Sequence, residues 1–172
     1  MREELRCYTF THFMLSPIQQ GIQSGHASME LVNKYMVEQG WQNGYAEQVA
    51  EWIKDHKTIV CLNGGNSAGL KDLHEFLGVG LNLFPFVPFY EDEESMEGIL
   101  TSIATVLPAR IFDTSQLIRR LHALPVGVEY VHDKRLHEHR FSFQEDEDWR
   151  HETFTEWEFE LMQRLSRCGL AR

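Results

Sequence analysis

The chain opens with a strand pattern that gives way to a helix pattern. From Cys7 to Met14, aromatic, apolar and threonine residues alternate. This alternation predicts a first strand with Tyr8, Phe10, His12 and Met14 on one face, because side chains in a strand repeat with a period of two.

A strong helix start follows this strand. Ser16 is a good N-cap, Pro17 takes the first helical position, and Gln19 completes a capping box. Apolar residues then recur at steps of four and three, which predicts one stripe facing the core and a close backbone approach at its glycine. The stripe consists of Ile18, Ile22, Gly25, Met29, Val32 and Met36.

The middle of the chain predicts further helices and strands in an order typical of an α/β sandwich with a mixed sheet. The predicted elements are a helix over 45–55, a buried strand over 58–62, a helix capped by Ser67, an irregular edge strand over 83–90 that contains two prolines, a strand over 101–107, and a helix capped by Thr114 or Ser115.

Beyond Pro125 the character of the sequence changes. Segments 126–131 and 140–143 are predicted to pair as a hairpin, and Thr155 with Glu158 predicts a capping box for a last helix. Roughly 47 residues is near the lower limit for independent folding. We therefore expect a domain over 1–125 and an extension over 126–172 packed on it.

Composition and charge argue against several classes of protein. The chain has 172 residues, of which 42% are hydrophobic, and no stretch approaches the roughly 20 apolar residues of a membrane span. The first residues lack the pattern of a signal peptide, and the three cysteines are scattered, so we expect a reducing, cytoplasmic location and no membrane partner. A net charge of −10 argues against binding long duplexes through general electrostatics.

Polar residues form a second stripe along the first predicted helix. Gln19, Gln23, His26 and Glu30 recur at steps of four, three and four. Such a stripe is ordinarily an exposed helix face, with Gln19 used by the capping box. His26 is the candidate for general acid or base chemistry, because an imidazole titrates near neutral pH and its small neighbours leave it accessible.

Two other segments offer polar groups to a site. The acidic run 91–94 could hold a general base or simply form a solvated loop, and the solvated loop is the simpler interpretation. Thr101 and Ser102 open the next strand, where a hydroxyl could bind a substrate carbonyl or cap a turn.

Phosphate and metal motifs are weak in this sequence. The turn over 63–67 lacks the lysine spacing of a phosphate loop. His132, His137 and His139 could meet at a metal ion in a hairpin, but without a fourth ligand solvated histidines are favoured. We therefore predict no metal and no cofactor.

One stretch resembles a known family. The first strand followed by Leu15-Ser-Pro-Ile-Gln-Gln-Gly-Ile-Gln-Ser-Gly-His-Ala-Ser-Met resembles the opening of the type 2 peptidyl-tRNA hydrolases, whose first helix carries a Gln-x-x-His-Ala signature. The strand 57–62, the segment Phe86-Val-Pro-Phe-Tyr-Glu-Asp and the segment Leu100-Thr-Ser-Ile-Ala-Thr resemble later landmarks of the same family. The resemblance covers about residues 7–124.

The resemblance implies a three-layer α/β sandwich with a four-stranded mixed sheet, here extended by the C-terminal hairpin and helix. It also implies a homodimer that hydrolyses the ester between a peptide or blocked amino acid and the 3′ end of tRNA. The signature residues fall on His26 and Gln23, the strand-opening threonine on Thr101, and the loop acid on Asp92 or Glu93.

One departure leaves the activity open. Many active members of the family have a lysine at the position of Gln19, a cation that could bind the phosphate backbone or stabilise an oxyanion. With Gln19 at this position, the chain is either an altered esterase or an inert relative that serves as a binding or regulatory module. If it is an esterase, Ser102 is expected to be a further substrate contact. In the second case the acidic stretch 144–148 would meet a basic protein partner.

Overall fold

A computed structural model describes residues 3–39, 44–79, 83–92 and 98–171. The chain forms two compact units, one of Met1–Ala109 with Cys168–Arg172 and one of Arg110–Arg167. The predicted domain boundary at Pro125 stays a prediction. The two units are groups of residues that contact one another, and such groups do not show which segment folds independently.

The first unit is built on a four-stranded mixed sheet in the order β2-β1-β4-β3. β1 pairs in parallel with β2 and antiparallel with β4, and β3 pairs antiparallel with β4 at the edge. The predicted mixed sheet is thereby confirmed. Its strands are β1 (Leu5–Thr11), β2 (Ile59–Asn63), β3 (Phe86–Tyr90) and β4 (Leu100–Pro108).

Helices cover both faces of this sheet. On one face, Cys7 and Ala104 belong to a buried cluster with residues of the first two helices. On the other face, the Leu70 side chain of the third helix lies beside Phe10. The predicted three-layer sandwich is therefore confirmed for this unit. The helices are α1 (Pro17–Val32), which continues as a π-helix over Asn33–Glu38, α2 (Gly44–Glu51), which continues as a π-helix over Trp52–His56, and α3 (Ser67–Gly78).

Helix α1 has the predicted start but buries a different face. The capping box of Ser16 and Gln19 is present. Ile18, Ile22 and Met29, however, are 77%, 50% and 69% exposed, so the prediction that the stripe faces the core was wrong for these residues. Val32 and Met36 at its C-terminal end do pack against the core. The prediction for Gly25 was also wrong, since a Cβ there would meet no atom within 4 Å. The buried positions are Gln20, Gln23, Ser24, Ala27, Ser28 and Leu31.

Small and polar residues on the buried face of α1 match a polar patch on the sheet. The hydroxyls of Ser24 and Thr9 are 2.6 Å apart, and the Ser28 hydroxyl, which donates to the carbonyl of Ser24, is 3.8 Å from the thiol of Cys7. Paired hydroxyls can be buried with little penalty. Hydroxyl pairing, together with the burial of Ala27 and Leu31, therefore sets which face of α1 meets the sheet.

Several helices and strands begin or end at other residues than predicted. β1 ends at Thr11 and not at Met14, and α3 takes its cap from Asn66, whose side chain accepts from Gly69 N–H, and not from Ser67. The helix predicted to start at Thr114 or Ser115 begins at Ala109, directly after β4.

The second unit contains a three-stranded antiparallel sheet, β5-β6-β7, between two helices in the chain. The predicted hairpin is β5 with β6, and the predicted last helix follows with the Thr155 and Glu158 capping box. Strand β7 was not predicted, because its residues are mostly polar and exposed. The elements are α4 (Ala109–Ile118), β5 (Val128–Asp133), β6 (Glu138–Glu145), β7 (Asp148–Thr155) and α5 (Glu156–Arg167).

The last described residues return to the first unit. Asn63 N–H donates to the Gly169 carbonyl, and Ala171 N–H donates to the Cys61 carbonyl. This segment thus pairs with the outer edge of β2, which would otherwise present unpaired backbone groups. No helix within the described ranges is long and apolar enough to cross a membrane.

Candidate functional site

Three polar side chains, from α1, from β4 and from the segment after β3, form a hydrogen-bonded chain in the first unit. The Thr101 hydroxyl donates to Oε1 of Gln23 at 3.0 Å. The Gln23 amide nitrogen in turn donates to Oε1 of Glu91. The amide orientation is set by these partners, since a carboxylate can only accept from the NH2 group. The chain therefore runs in one direction, from hydroxyl to amide to carboxylate.

The local folds explain how these side chains meet. Gln23 lies on the buried face of α1, and its carbonyl accepts from the Ser102 hydroxyl at 2.9 Å. Thr101 begins the body of β4, and Glu91 follows β3 after an irregularity at Phe89 and Tyr90. Because β3 and β4 are antiparallel neighbours, the end of one and the start of the other lie side by side under α1.

A cavity of about 370 Å³ lies next to Thr101. Two of its residues, His12 and Ser67, follow the parallel strands β1 and β2, so the cavity lies at the carboxyl ends of that pair. Ligands of open α/β sheets are commonly bound at such edges. The lining residues are His12, Met14, Leu15, Gln19, Ser67, Ile99 and Thr101.

His12 and Ser67 are joined across this cavity. The Nε2 atom of His12 is 3.2 Å from the Ser67 hydroxyl oxygen, and its Nδ1 atom accepts from Met14 N–H. Since Nδ1 accepts, a neutral His12 carries its proton on Nε2 and donates it to Ser67. The hydroxyl proton of Ser67 is then directed away from His12 and can be donated to a bound molecule.

Gln19 also faces the cavity. Its Oε1 accepts from Ser16 N–H in the capping box, so its amide nitrogen is the group that can donate to a ligand. The capping role and the cavity position are therefore compatible, whereas the sequence alone left them as alternatives.

His26 is exposed on α1, one turn beyond Gln23. Its ring lies 5.1 Å from the ring of Phe89, centroid to centroid, at an angle of 52°. The Phe89 carbonyl is also within 3.5 Å of the Thr101 hydroxyl. His26 is thus placed over the strand that leads to Glu91, and it does not line the cavity.

The other predicted site residues have different positions. Ser102 is fully buried and ties α1 to β4. The Asp92 side chain is exposed, and Glu93 lies outside the described residues. The acid next to Gln23 is Glu91, which the sequence offered only as one member of an acidic run. His12 and Ser67 were not predicted as site residues, and the signal that could have found them is that each follows one of two predicted strands. The prediction that the second of these strands is buried on both faces was wrong, since most of β2 is half-buried or exposed.

The buried cysteine under α1 is not a candidate nucleophile. Burial raises the pKa of the Cys7 thiol to about 12, with a smaller opposing effect from the Ser28 hydroxyl. A thiolate is the reactive form of cysteine, so Cys7 is inert at neutral pH.

Comparison with known proteins adds no assignment: no family model matches the chain, and no curated protein matches it significantly.

Proposed function

We propose that the first unit hydrolyses the ester between a peptide or blocked amino acid and the 3′ end of tRNA. The observation that carries this proposal is the Thr101–Gln23–Glu91 chain beside a cavity of about 370 Å³. The resemblance of the segment around Gln23 and His26 to the type 2 peptidyl-tRNA hydrolases supports the choice of substrate. Such a substrate would be met in the cytoplasm.

In this proposal each polar group has a defined task. Thr101 donates its proton to Gln23, so its oxygen can accept a hydrogen bond from the attacking water and orient it. Glu91, or His26 through a second water because it does not line the cavity, takes the proton of that water as general base. The Ser67 hydroxyl and the Gln19 amide nitrogen donate to the carbonyl oxygen as it gains negative charge.

Gln19 changes how the substrate would be held. A neutral amide can donate a hydrogen bond but offers no positive charge to a phosphate. We therefore expect tRNA binding that depends less steeply on salt than binding through a lysine at this position, because each cation–phosphate contact adds to the salt dependence.

The test is hydrolysis of a labelled, N-blocked aminoacyl-tRNA by the full chain. We expect His26→Ala to lower the rate by about 100-fold or more without changing the unfolding midpoint. His122→Ala, which changes an exposed histidine of the second unit, is the matched control and should keep the wild-type rate. No release by the wild type, or an equal rate for folded His26→Ala, would contradict the proposal.

A binding module is the second candidate function. The end of β6 and the turn to β7 expose five consecutive residues, of which four are acidic: Gln144, Glu145, Asp146, Glu147 and Asp148. A basic protein segment is the partner that fits this charge. A fluorescence titration with a lysine-rich peptide should show binding, and the double variant Asp146→Asn, Glu147→Gln should bind more weakly. For this function we also expect that the wild type does not hydrolyse the ester.

A second copy of the chain is a further proposed partner. The exposed apolar stripe of Ile18, Ile22 and Met29 on α1 supports it, because monomers rarely expose contiguous apolar surface. Sedimentation velocity should show a dimer for the wild type and a monomer for Ile22→Glu. A monomeric wild type would remove this part of the proposal.

A further inference from the structure

Two histidines and a glutamate of the second unit come together at one point. His132 on β5 and His139 on β6 are cross-strand partners, and Glu156 begins α5. The Nε2 atoms of the two histidines are each 2.9 Å from a different carboxylate oxygen of Glu156. One potential ligand atom from each residue lies within 4.8 Å of the other two.

This group differs from the one that the sequence suggested. His137, the third histidine of the predicted set, lies on the turn between β5 and β6 with a φ of 54°. Its place is taken by Glu156, which is 17 positions beyond His139. Sequence spacing within the hairpin could not identify Glu156, because this residue lies beyond β7. The pairing of β7 with β6 returns the chain to the two histidines.

Hydrogen bonds join both imidazoles to the Glu156 carboxylate. Each Nε2 atom is in hydrogen-bond contact with a different carboxylate oxygen of Glu156, so the three groups already face one another. The two Nε2 atoms are the atoms that a metal ion would take in place of their protons.

Neighbouring rings fix the orientation of His139. Its side chain is 4% exposed, its ring stacks on Phe159 at 3.7 Å and 4°, and its Nδ1 is 2.8 Å from the Tyr130 hydroxyl. Metal-bound histidines commonly use their second nitrogen in a hydrogen bond that sets the tautomer. Tyr130 is positioned for this role, because its oxygen can accept from Nδ1–H once Nε2 binds an ion.

We propose that His132, His139 and Glu156 bind a divalent transition-metal ion such as Zn²⁺. Two imidazole nitrogens and one carboxylate are a common protein donor set for zinc, with a water completing the coordination. A histidine binds the ion through Nε2 in the tautomer that carries its proton on Nδ1.

His132 must turn for the ion to bind. The two histidine rings are stacked at 4.2 Å and 8°, so their Nε2 lone pairs lie in nearly parallel planes and do not meet. The His132 side chain is 32% exposed and can tilt toward Glu156, whereas His139 is held by Phe159 and Tyr130. The bound ion would join the β5–β6 pair to the start of α5.

The experiment uses the untagged, full-length chain. Titration with Co²⁺, followed by its visible absorption, and with Zn²⁺, followed by calorimetry, should each show one site. We expect His132→Gln and Glu156→Gln to weaken binding at least tenfold. His137→Asn is the matched control, since it removes a nearby imidazole and asparagine tolerates a positive φ, and it should bind like the wild type.

A second measurement separates this site from others in the chain. Zn²⁺ should raise the thermal unfolding midpoint of the wild type and of His137→Asn, and it should leave the midpoints of His132→Gln and Glu156→Gln unchanged. Absence of binding by the wild type would overturn the proposal. Wild-type affinity in folded His132→Gln, or loss of binding in Cys61→Ser or Cys168→Ser, would overturn it as well.

Discussion

The Thr101 hydroxyl donates to Oε1 of Gln23 at 3.0 Å, although the two residues are 78 positions apart in the chain. Both side chains are buried, at 1% and 6% exposure. With the hydrogen bond from Ser102 to the Gln23 carbonyl, this contact fixes α1 over the start of β4. The alignment of helix and strand thus rests on polar groups that also border the cavity.

Replacing this hydroxyl should affect both stability and the proposed chemistry. Thr101→Val leaves Oε1 of Gln23 buried without its partner, so we expect the free energy of unfolding to fall by about 1–3 kcal/mol in urea titrations. We also expect slower ester hydrolysis, because the attacking water loses its acceptor. Thr101→Ser retains the hydroxyl and should restore most of both properties. Unchanged stability of Thr101→Val would mean that the contact carries little energy.

Capping boxes in the sequence predicted the starts of two helices correctly. The capping boxes at Ser16 with Gln19 and at Thr155 with Glu158 both depend on residues three positions apart, so the sequence contains all of their information. The mixed sheet followed from the order of the predicted strands and helices.

Long-range pairing accounts for what the sequence missed. The buried face of α1 depends on the partners of Ser24 and Ser28 in β1, which hydrophobic periodicity does not include. Glu91 differs from its acidic neighbours only through contact with Gln23. Similarly, β7 is held by cross-strand pairs and not by an apolar pattern of its own.

Two glycines provide a matched test of packing. A Cβ at Gly64 would lie 2.5 Å from Leu70 Cδ2 and 3.2 Å from the Phe10 backbone, whereas a Cβ at Gly25 would meet nothing within 4 Å. We expect Gly64→Ala to lower the free energy of unfolding by about 1–3 kcal/mol through overpacking. Gly25→Ala should raise it by about 0.5–1 kcal/mol, since alanine is the better helix former. Chemical denaturation of both variants checks the opposite signs.

Cys7 should make stability depend on alkaline pH. Burial raises the pKa of its thiol from an ordinary value of 9.0 to about 12. The folded state therefore keeps the proton that the unfolded state releases, and stability is lost as pH rises between these two values. At pH 10 the loss approaches about 1.4 kcal/mol relative to neutral pH.

The variant Cys7→Ala isolates this effect from other titrating groups. The stability difference between wild type and Cys7→Ala should shrink from pH 7 to pH 10 as the wild type loses its contribution. In the native protein at pH 8, a thiol reagent should leave Cys7 unmodified until the chain is unfolded, since roughly one thiol in 10⁴ is ionised. A constant stability difference across this pH range would contradict the assigned burial.

Glu158 should be a stability determinant of the second unit. Its buried carboxylate accepts from Thr155 N–H at 2.9 Å and from Arg110 Nη2 at 3.1 Å, so one side chain caps α5 and pairs with α4. We expect Glu158→Ala to lower the free energy of unfolding by about 2–3 kcal/mol, because hydrogen bonds to charged groups contribute more than neutral ones. Glu160→Ala, on the same helix, removes an ion pair with Arg164. Because the Glu160 side chain is 54% exposed, this change should lower the free energy of unfolding by less than about 0.5 kcal/mol. Urea titration of the two variants measures the difference, and equal costs would show that the buried position of Glu158 adds nothing to its pairing.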